Sequence, residues 1–235
     1  MTREDERRLL SDGEVEVLGR VRGSSNQALF VSVTLGDATA YACYKSEVGE
    51  RPLWDFPDGL WRREVAAYEL DAALGTDLVP TTVGREDLPL GPGSLQWWVE
   101  DNGEDHYFTL RSRPEFAPWF AALAAFDVVA NNADRKSGHV LFDGSRCWAI
   151  DNGLCFHEQD KLRTVVWEYA GLEIGADLLE RLDAFARGDG ATLATWLNPH
   201  EVASARARAR ALVASSEYPA PDEDRDWPPY PWPLV

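Results

Sequence analysis

The hydrophobic pattern of this chain changes character near residue 100, and that change limits the folds open to it. Apolar and polar residues alternate with period two over 14–22, 27–35 and 38–45, which predicts an antiparallel meander of three strands. After a polar break at 101–106, the apolar run 116–131 has the length of a buried helix. The sequence therefore predicts an α+β fold with a β-rich N-terminal lobe and a mainly helical C-terminal lobe.

Weaker patterns add further elements. Helical spacing over 60–74 predicts one helix within the β-rich part, and Gly75 suits its C-terminal end. Short strands are predicted at 81–84, 95–100, 140–142 and 147–150. Further helices are predicted at 161–169, 176–187 and 199–213, the last of them capped by Asn198.

The last nineteen residues differ from the rest of the chain. Residues 217–235 hold six prolines, which exclude regular helix or sheet. Two interpretations remain open: a disordered tail, or an extended strap whose Trp227 and Trp232 dock on the body of the protein. The sequence thus divides into an N-terminal lobe (1–100), a helical lobe (101–216) and a tail (217–235).

Charge and cysteine content narrow the classes of function. The net charge is −17, so the average surface repels nucleic acids and anionic lipid headgroups. We therefore expect no nucleic-acid partner and no stable membrane association. The three cysteines form no C-x-x-C pair, which argues against a disulfide framework or a zinc site. The charged N-terminus lacks the apolar segment of a secretory signal, and together these features predict a cytoplasmic protein.

Chemistry-bearing side chains cluster around the predicted strand pair in the second half. The segment Asp134-Arg135-Lys136-Ser137-Gly138-His139 lies between the apolar run and the first of these strands, and Asp151 ends the second. A short strand pair would therefore place Asp134, His139 and Asp151 around one cleft mouth. Two carboxylates and a further ligand suit a divalent cation that carries phosphate oxygens.

A lysine and a glutamate complete this constellation from the first half. Only three of the 23 Lys and Arg residues are lysines, so a retained lysine marks a place where arginine does not substitute, with chance as the alternative. Lys45 ends the third predicted strand, and Glu64 lies on the helix that follows. A lysine held by a helix glutamate fixes phosphates as a point charge.

The order of these parts is that of a protein-kinase-like fold: small-residue loop, strand lysine, helix glutamate, D-x-K-x-x-ligand, strand-Asp-x-Gly. The segment FDVVANNADRKSGHVL (126–141) resembles the catalytic loop of type II phosphatidylinositol 4-kinases, and AIDNGLCF (149–156) is similar to their metal-binding segment. Residues 64–82 also resemble the αC helix and following strand of that family. The chain likewise resembles a bacterial family of phosphatidylinositol 3-/4-kinase-like proteins, and the resemblance covers about 14–170.

This resemblance implies a two-lobed kinase-like fold with ATP between the lobes. Lys45 would bind the α- and β-phosphates and pair with Glu64, while Asp134 would orient the acceptor hydroxyl and take its proton. Asp151 would hold Mg²⁺ or Mn²⁺. The remaining nucleotide contacts implied are the phosphate-covering loop and the adenine pocket with its hinge, formed by Gly23, Ser24, Ser25, Asn26, Cys43, Trp98 and Val99.

One position departs from the family. His139 stands where the family has an asparagine at the second metal position, and imidazole suits Mn²⁺ or Zn²⁺ better than Mg²⁺. His139 could ligate a softer metal, bond to Asp134 or a phosphate, or mark weakened chemistry. Lys136 lies two residues after Asp134, where many protein-serine kinases have a lysine that touches the γ-phosphate. Lys136 is therefore a candidate catalytic residue that supplies charge a poorly held second metal does not.

The sequence predicts an ATP-dependent phosphotransferase that acts on a hydroxyl of an unidentified cytosolic small molecule or protein. Three alternatives stay open. One is a non-catalytic nucleotide-binding pseudokinase, motivated by His139. Another is transfer of a nucleotidyl group instead of a phosphoryl group. The third is an interaction protein whose function lies in the Trp- and Pro-rich tail.

Overall fold

The computed structural model of the protein describes residues 1–21, 27–222, 224 and 227–235. Its first part is built around an antiparallel sheet. The elements are α1 (Arg3–Asp12), β1 (Glu14–Arg20), β2 (Leu29–Leu35), β3 (Ala38–Ser46), α2 (Leu60–Leu74), β4 (Thr82–Arg85) and β5 (Gly93–Trp97). The five strands form one sheet in the order β1-β2-β3-β5-β4, and every neighbouring pair is antiparallel. The predicted three-strand meander is confirmed.

One face of this sheet is covered by α1, a helix that we did not predict. Leu9 and Leu10 of α1 are buried with Val31 and Val33 of β2 in one apolar cluster. The helix begins at Thr2, whose hydroxyl accepts a hydrogen bond from the Asp5 backbone while the Asp5 carboxylate accepts one from the Thr2 backbone. This reciprocal cap is written in the sequence as T-x-x-D ahead of two leucines, so a signal for α1 was present.

The helix α2 lies between the sheet and the helices of the second part, and its predicted bounds are confirmed. Because it is covered on nearly all sides, even its charged residues Arg63 and Glu64 are buried. It ends at Gly75, whose backbone has a left-handed φ of 60° that a residue without a Cβ adopts at no steric cost.

The second part of the chain is mainly helical. Its elements are α3 (Tyr107–Leu110), α4 (Ala117–Ala130), a 3₁₀ turn (Ser137–His139), β6 (Val140–Phe142), β7 (Cys147–Ala149), α5 (Ala176–Arg187), α6 (Ala191–Ala194) and α7 (Pro199–Ser215). The apolar run forms α4, and its Phe120, Leu123 and Phe126 are fully buried in the largest core of the protein. The strands β6 and β7 pair as an antiparallel hairpin, so the predicted strand pair is confirmed.

The prediction of a helix at 161–169 is wrong. That segment is irregular, and its backbone N–H groups donate to remote partners instead of to residues four positions back. The N–H groups of Arg163 and Val165 donate to the carbonyls of Asn132 and Arg135, and the N–H of Thr164 donates to Pro229. The segment also contains Thr164-Val165-Val166, three β-branched residues in a row, which disfavour helix. Apolar spacing alone did not reveal these long-range partners.

The tail agrees in part with the second interpretation, a strap that docks on the body of the protein. Tyr218 is buried, Trp227 approaches Lys161, and the carbonyls of Pro229 and Leu234 accept hydrogen bonds from the body of the protein. Trp232 does not dock, because it is 86% exposed. The division of the chain at residues 100 and 216 stays a prediction. No helix in the described part of the chain combines the length and apolar character that crossing a bilayer requires.

Candidate active site

Lys45 lies at the centre of an ion cluster between the two halves of the protein. It belongs to β3, the strand that pairs with β5. Its ammonium group bonds to Glu64 of α2 and to Asp151 Oδ1, the latter at 2.7 Å. Burial by itself would lower the pKa of Lys45, but the charges of Asp151 and Glu64 raise it above its ordinary value. Lys45 is therefore held as a fixed cation.

Glu64 is the buried member of this cluster. Its side chain is only 3% exposed, and besides Lys45 it accepts a hydrogen bond from the backbone N–H of Asn152 at 3.0 Å. A Cβ added at Gly153 would stand 3.2 Å from the Glu64 carboxylate, so a glycine there lets the backbone pass close to it. Glu64 thus joins α2, β3 and the segment after β7 at one point.

Asp151 follows β7 with a left-handed φ of 57°. Its side chain is 41% exposed, so the carboxylate reaches Lys45 while keeping one side open. The positive charge of Lys45 holds the pKa of Asp151 well below its usual range, outweighing the effect of burial. The other oxygen, Oδ2, lies 3.3 Å from His139 Nε2.

His139 is turned towards Asp151 by the 3₁₀ turn that it ends. The backbone N–H of Lys136 donates to His139 Nδ1 at 3.4 Å. Burial lowers the pKa of His139 to about 4, although Asp151 acts in the opposite direction. In a neutral ring whose Nδ1 accepts, the proton is on Nε2, the nitrogen that lies 3.3 Å from Asp151 Oδ2. This contact is a role that the sequence did not suggest for His139.

Asp134 and Lys136 form a pair beside this cluster. Lys136 Nζ donates to Asp134 Oδ2 at 2.6 Å, and the Asp134 backbone N–H donates to Asn132 Oδ1 at 2.9 Å. Burial raises the pKa of Asp134, against the lowering effect of Lys136. Both side chains remain partly exposed. The carboxylate of Asp134 is therefore fixed in direction yet open on one side.

A buried network, missed at the level of sequence, holds the loop that carries Asp134. Arg135 is fully buried, and its guanidinium donates to Asp127 Oδ1 at 3.1 Å, to the carbonyl of Ile150 at 2.7 Å and to Asn152 Oδ1 at 2.6 Å. The hydroxyl of Thr164 donates to the other Asp127 oxygen at 3.0 Å. The network thus connects the Asp134 loop to the backbone just before Asp151.

One signal for this network was available. Asp127 is a lone carboxylate in the otherwise apolar helix α4. A carboxylate buried in such surroundings needs a charged or hydrogen-bonded partner. The sequence therefore indicated that Asp127 has a partner, while the choice of Arg135 and Thr164 depends on the fold.

A cavity of about 530 Å³ opens beside the ion cluster. Three of the predicted nucleotide-binding residues, Cys43, Trp98 and Val99, line it together with Leu141 and Ile150 from the β6–β7 hairpin. The ring of Trp98 packs edge-on against Phe30 with 4.7 Å between ring centroids. Burial raises the pKa of Cys43 to about 11, so its thiol is neutral. The cavity therefore has largely apolar walls, and Cys43 on its wall lies two residues before Lys45 on β3.

The predicted phosphate-covering residues Gly23, Ser24, Ser25 and Asn26 lie outside the described residues. Within the described ranges, no three His, Cys, Asp or Glu side chains converge as the ligands of an all-protein metal site do. The open carboxylate of Asp151 is nevertheless an oxygen donor of the kind that Mg²⁺ takes when phosphates and water supply its other ligands.

Comparison with known proteins identifies a relative and a fold. No protein-family model matches the chain. Protein Rv2133c of Mycobacterium tuberculosis is 38% identical to it, over 98% of this chain and 96% of the mycobacterial one. The Helicobacter pylori proinflammatory kinase CtkA has a TM-score of 0.51 at 11% identity, with 89% of this chain and 94% of CtkA covered. The structure of hydra Fam20 with sugar has a TM-score of 0.53 at 12% identity, covering 88% of this chain and 87% of Fam20. These likenesses concern the fold, and the predicted two-lobed kinase-like fold class is confirmed.

Proposed function

The chain belongs to the family of the mycobacterial protein Rv2133c, and we propose that it is a kinase-like phosphotransferase that moves the γ-phosphate of ATP to a hydroxyl group. The observation that carries this proposal is the position of Lys45 between Glu64 and Asp151. A cation bonded to one buried and one open carboxylate, beside a cavity with apolar walls, suits a nucleotide polyphosphate.

In this proposal the adenine occupies the cavity lined by Cys43, Trp98 and Val99. Among the described residues, the backbone of Val99 takes part in no backbone hydrogen bond, so its polar groups are free to pair with the edge of a base. Lys45 lies two residues after Cys43 on the same strand, and from there its ammonium group reaches the α- and β-phosphates. Residues 23–26 are proposed to cover these phosphates through backbone N–H groups.

Asp151 is proposed to hold Mg²⁺ or Mn²⁺ through its partly exposed carboxylate. A metal held there would supply positive charge that neutralises the charge developing on the phosphate during transfer. His139 Nε2 lies 3.3 Å from Asp151 Oδ2 and is proposed to keep that carboxylate in position. This positioning role needs no imidazole ligand to Mg²⁺, which is why the departure from asparagine is compatible with catalysis.

Asp134 is proposed to act on the acceptor. Its raised pKa and its open side let it accept the proton of the acceptor hydroxyl as the new O–P bond forms and the bond from the γ-phosphorus to the β,γ-bridging oxygen breaks, releasing ADP. Lys136, bonded to Asp134 in the absence of nucleotide, is within reach of the transferred phosphate and would supply positive charge there.

The proposed relationship to one particular branch of kinase folds rests on two sequence segments. We propose that residues 126–141 and 149–156 relate this family to the phosphatidylinositol 3-/4-kinase-like branch of kinase folds. Kinship of the catalytic segments does not require a lipid acceptor. With a net charge of −17, the proposed acceptor is a small molecule or a protein, not a membrane lipid or a nucleic acid.

The test is nucleotide turnover by the purified protein with Mg²⁺ and with Mn²⁺. We expect Asp134→Asn and Asp151→Asn to lower turnover at least a hundredfold, while Asp37→Asn, a matched change in the exposed β2–β3 turn, leaves it unchanged. Nucleotide binding without turnover on the same samples indicates a pseudokinase or a missing acceptor. Mass spectrometry of the product separates an added phosphate from an added nucleotide.

A further inference from the structure

The end of the chain crosses the two segments that flank Asp134. We call residues 227–235 the strap. The carbonyl of Pro229 accepts hydrogen bonds from the Thr164 N–H and from Trp167 Nε1, both at 3.1 Å. Five residues later, the carbonyl of Leu234 accepts one from the Ser137 N–H at 2.8 Å. The strap is thus tied at two points by backbone carbonyls.

Both hydrogen-bonded points of the strap lie close to Asp134, one along the sequence and one through backbone pairing. Ser137 follows Lys136 directly in the Asp134 loop, and Thr164 pairs with Arg135 in an isolated parallel bridge. An acceptor that approaches Asp134 across these segments meets the strap bonded to them.

The beginning of the strap joins an aromatic cluster around Lys161. The Lys161 ammonium group lies 5.9 Å from the Trp227 ring, 5.6 Å from the Trp54 ring and 5.8 Å from the Phe56 ring. It also bonds to Asp55 at 2.9 Å. Trp54, Asp55 and Phe56 precede α2, so this cluster connects the strap to both halves of the protein.

The strap has the character of a bound peptide more than of a core element. Pro228, Pro229, Pro231 and Pro233 restrict the backbone, so the strap has little conformational entropy to lose on binding. Its contacts are few: Pro231 is buried and Leu234 is half-buried against the helical core, whereas Trp232 is 86% exposed. A segment held by so few contacts opens at a low free-energy cost.

We propose that the strap covers the acceptor surface of this site, and that the acceptor is a polypeptide segment that takes the same backbone donors when the strap is displaced. The proposal rests on the proposed phosphotransferase function and names its substrate class. The Ser137 and Thr164 N–H groups receive two backbone carbonyls of one segment, and a polypeptide acceptor supplies such carbonyls along its length. A Ser, Thr or Tyr hydroxyl of that peptide loses its proton to Asp134 and receives the phosphoryl group, and ADP leaves.

The first experiment asks whether the surface binds a peptide. The probe is a fluorescein-labelled peptide with the sequence of residues 227–235, and its control is a scrambled peptide of the same composition. A protein truncated after Asp226 is expected to bind the probe saturably and at least tenfold more tightly than the full chain does. Equal binding to both proteins, or binding of the scrambled peptide with the same affinity, overturns the assignment of this surface.

Full-length variants guard against misfolding of the truncated protein. Leu234→Glu places a charge against the helical core and is expected to release the strap, giving probe binding like that of the truncated chain. Trp232→Ala is the matched control, because that side chain is exposed, and it is expected to bind no more probe than the wild type. Hydrogen exchange of the Ser137 and Thr164 amides should accelerate at least tenfold in Leu234→Glu and stay slow in Trp232→Ala. Unchanged exchange in Leu234→Glu overturns the proposal that the strap covers this surface.

The second experiment asks what the uncovered site phosphorylates. Dephosphorylated casein and histone serve as polypeptide probes, with phosphatidylinositol vesicles and glycerol as the alternatives, all with γ-labelled ATP. Releasing the strap is expected to raise label transfer to a polypeptide at least fivefold without changing ATP affinity. Transfer to vesicles or glycerol alone overturns the polypeptide acceptor. Loss of ATP binding in every protein, together with specific probe binding, overturns the proposed function while leaving the strap's surface assigned.

Discussion

Lys45 balances two carboxylates that differ in their access to water. Glu64 is buried and has one other recorded partner, the Asn152 N–H, while Asp151 is partly open and also contacts His139. The buried carboxylate therefore depends on the lysine for its charge balance, and the open one is free to exchange the lysine for another cation. This asymmetry suits a site in which the lysine is held in place until an incoming polyphosphate binds to it.

Removing the Lys45 charge should destabilise the protein through Glu64. We expect Lys45→Met to lower the free energy of unfolding by about 3–5 kcal/mol, because it leaves a buried carboxylate without its counter-charge. Adding Glu64→Gln to the same protein should restore part of that loss. Urea unfolding of the wild type, both single variants and the double variant measures the coupling. Equal stability of Lys45→Met and wild type would show that Glu64 finds another partner.

The thiol of Cys43 reports on the cavity. Because burial raises its pKa to about 11, alkylation of Cys43 should be slow at pH 7.5 and should rise about tenfold per pH unit between pH 8 and 9.5. An ordinary thiol, with a pKa of about 8.5, levels off over the same interval. ATP should slow the reaction if adenine lies against Cys43. Peptide mass spectrometry after iodoacetamide treatment gives both rates, and a plateau near pH 8.5 or a lack of protection by ATP would contradict this.

Residue chemistry explains which parts of the site were open to prediction. Lys45 and Glu64 were accessible because a scarce lysine at a strand end and a glutamate on the following helix are positions set by local structure. The approach of His139 to Asp151 was not, because it depends on how the 3₁₀ turn orients the imidazole ring. The Lys136 N–H bond to Nδ1 holds that orientation, and no spacing rule contains it.

At the level of elements, a buried arginine ties α2 to the helical part in addition to the apolar packing of that helix. Arg63 donates to the carbonyl of Cys155 at 2.6 Å and forms an ion pair with Glu201 in the first turn of α7. Glu201 also accepts the Asn198 N–H at 2.9 Å and so completes the cap of α7. Since Glu64 is the next residue after Arg63, this anchor also fixes the glutamate that holds Lys45.

The neighbouring arginine provides a matched control for this anchor. We expect Arg63→Met to lower the free energy of unfolding by about 3–5 kcal/mol, because Glu201 is left buried without its partner. The exposed Arg62→Met should change it by no more than about 0.5 kcal/mol. Urea unfolding followed by tryptophan fluorescence compares the two. Similar losses in both variants would assign the effect to α2 propensity instead of to the ion pair.

Elements whose ends are marked locally were predicted well, and those closed by distant partners were not. The bounds of α2 and α5 follow from glycines at their ends, and α7 follows from Asn198-Pro199. The segment 161–169 was misassigned because its backbone donors are satisfied by Asn132, Arg135 and Pro229, which lie far away in sequence. A helical pattern describes only one face of a segment and says nothing about where its N–H groups donate.

At the scale of the whole molecule, the site draws its parts from distant stretches of chain. Lys45 comes from the sheet, Glu64 from α2, Asp134 and His139 from the loop after α4, and Asp151 from the end of β7. A ligand that bonds to several of these at once stabilises the folded protein as a whole. The overall charge of −17 opposes the approach of a polyanion, so a divalent cation that accompanies the nucleotide should matter for binding.

Nucleotide and metal should therefore stabilise the folded chain together. At a concentration one hundred times the dissociation constant, a bound ligand adds about 2.7 kcal/mol, which raises the unfolding midpoint of a chain of this length by roughly 5–10 °C. We expect this rise with ATP and Mg²⁺ together and a smaller one with ATP alone. In Asp151→Asn the two should be equal, because the negative charge that holds the metal is gone, while Asp37→Asn should respond like the wild type. Thermal unfolding with and without a chelator measures these shifts, and a Mg²⁺-dependent rise that persists in Asp151→Asn would place the metal on other residues.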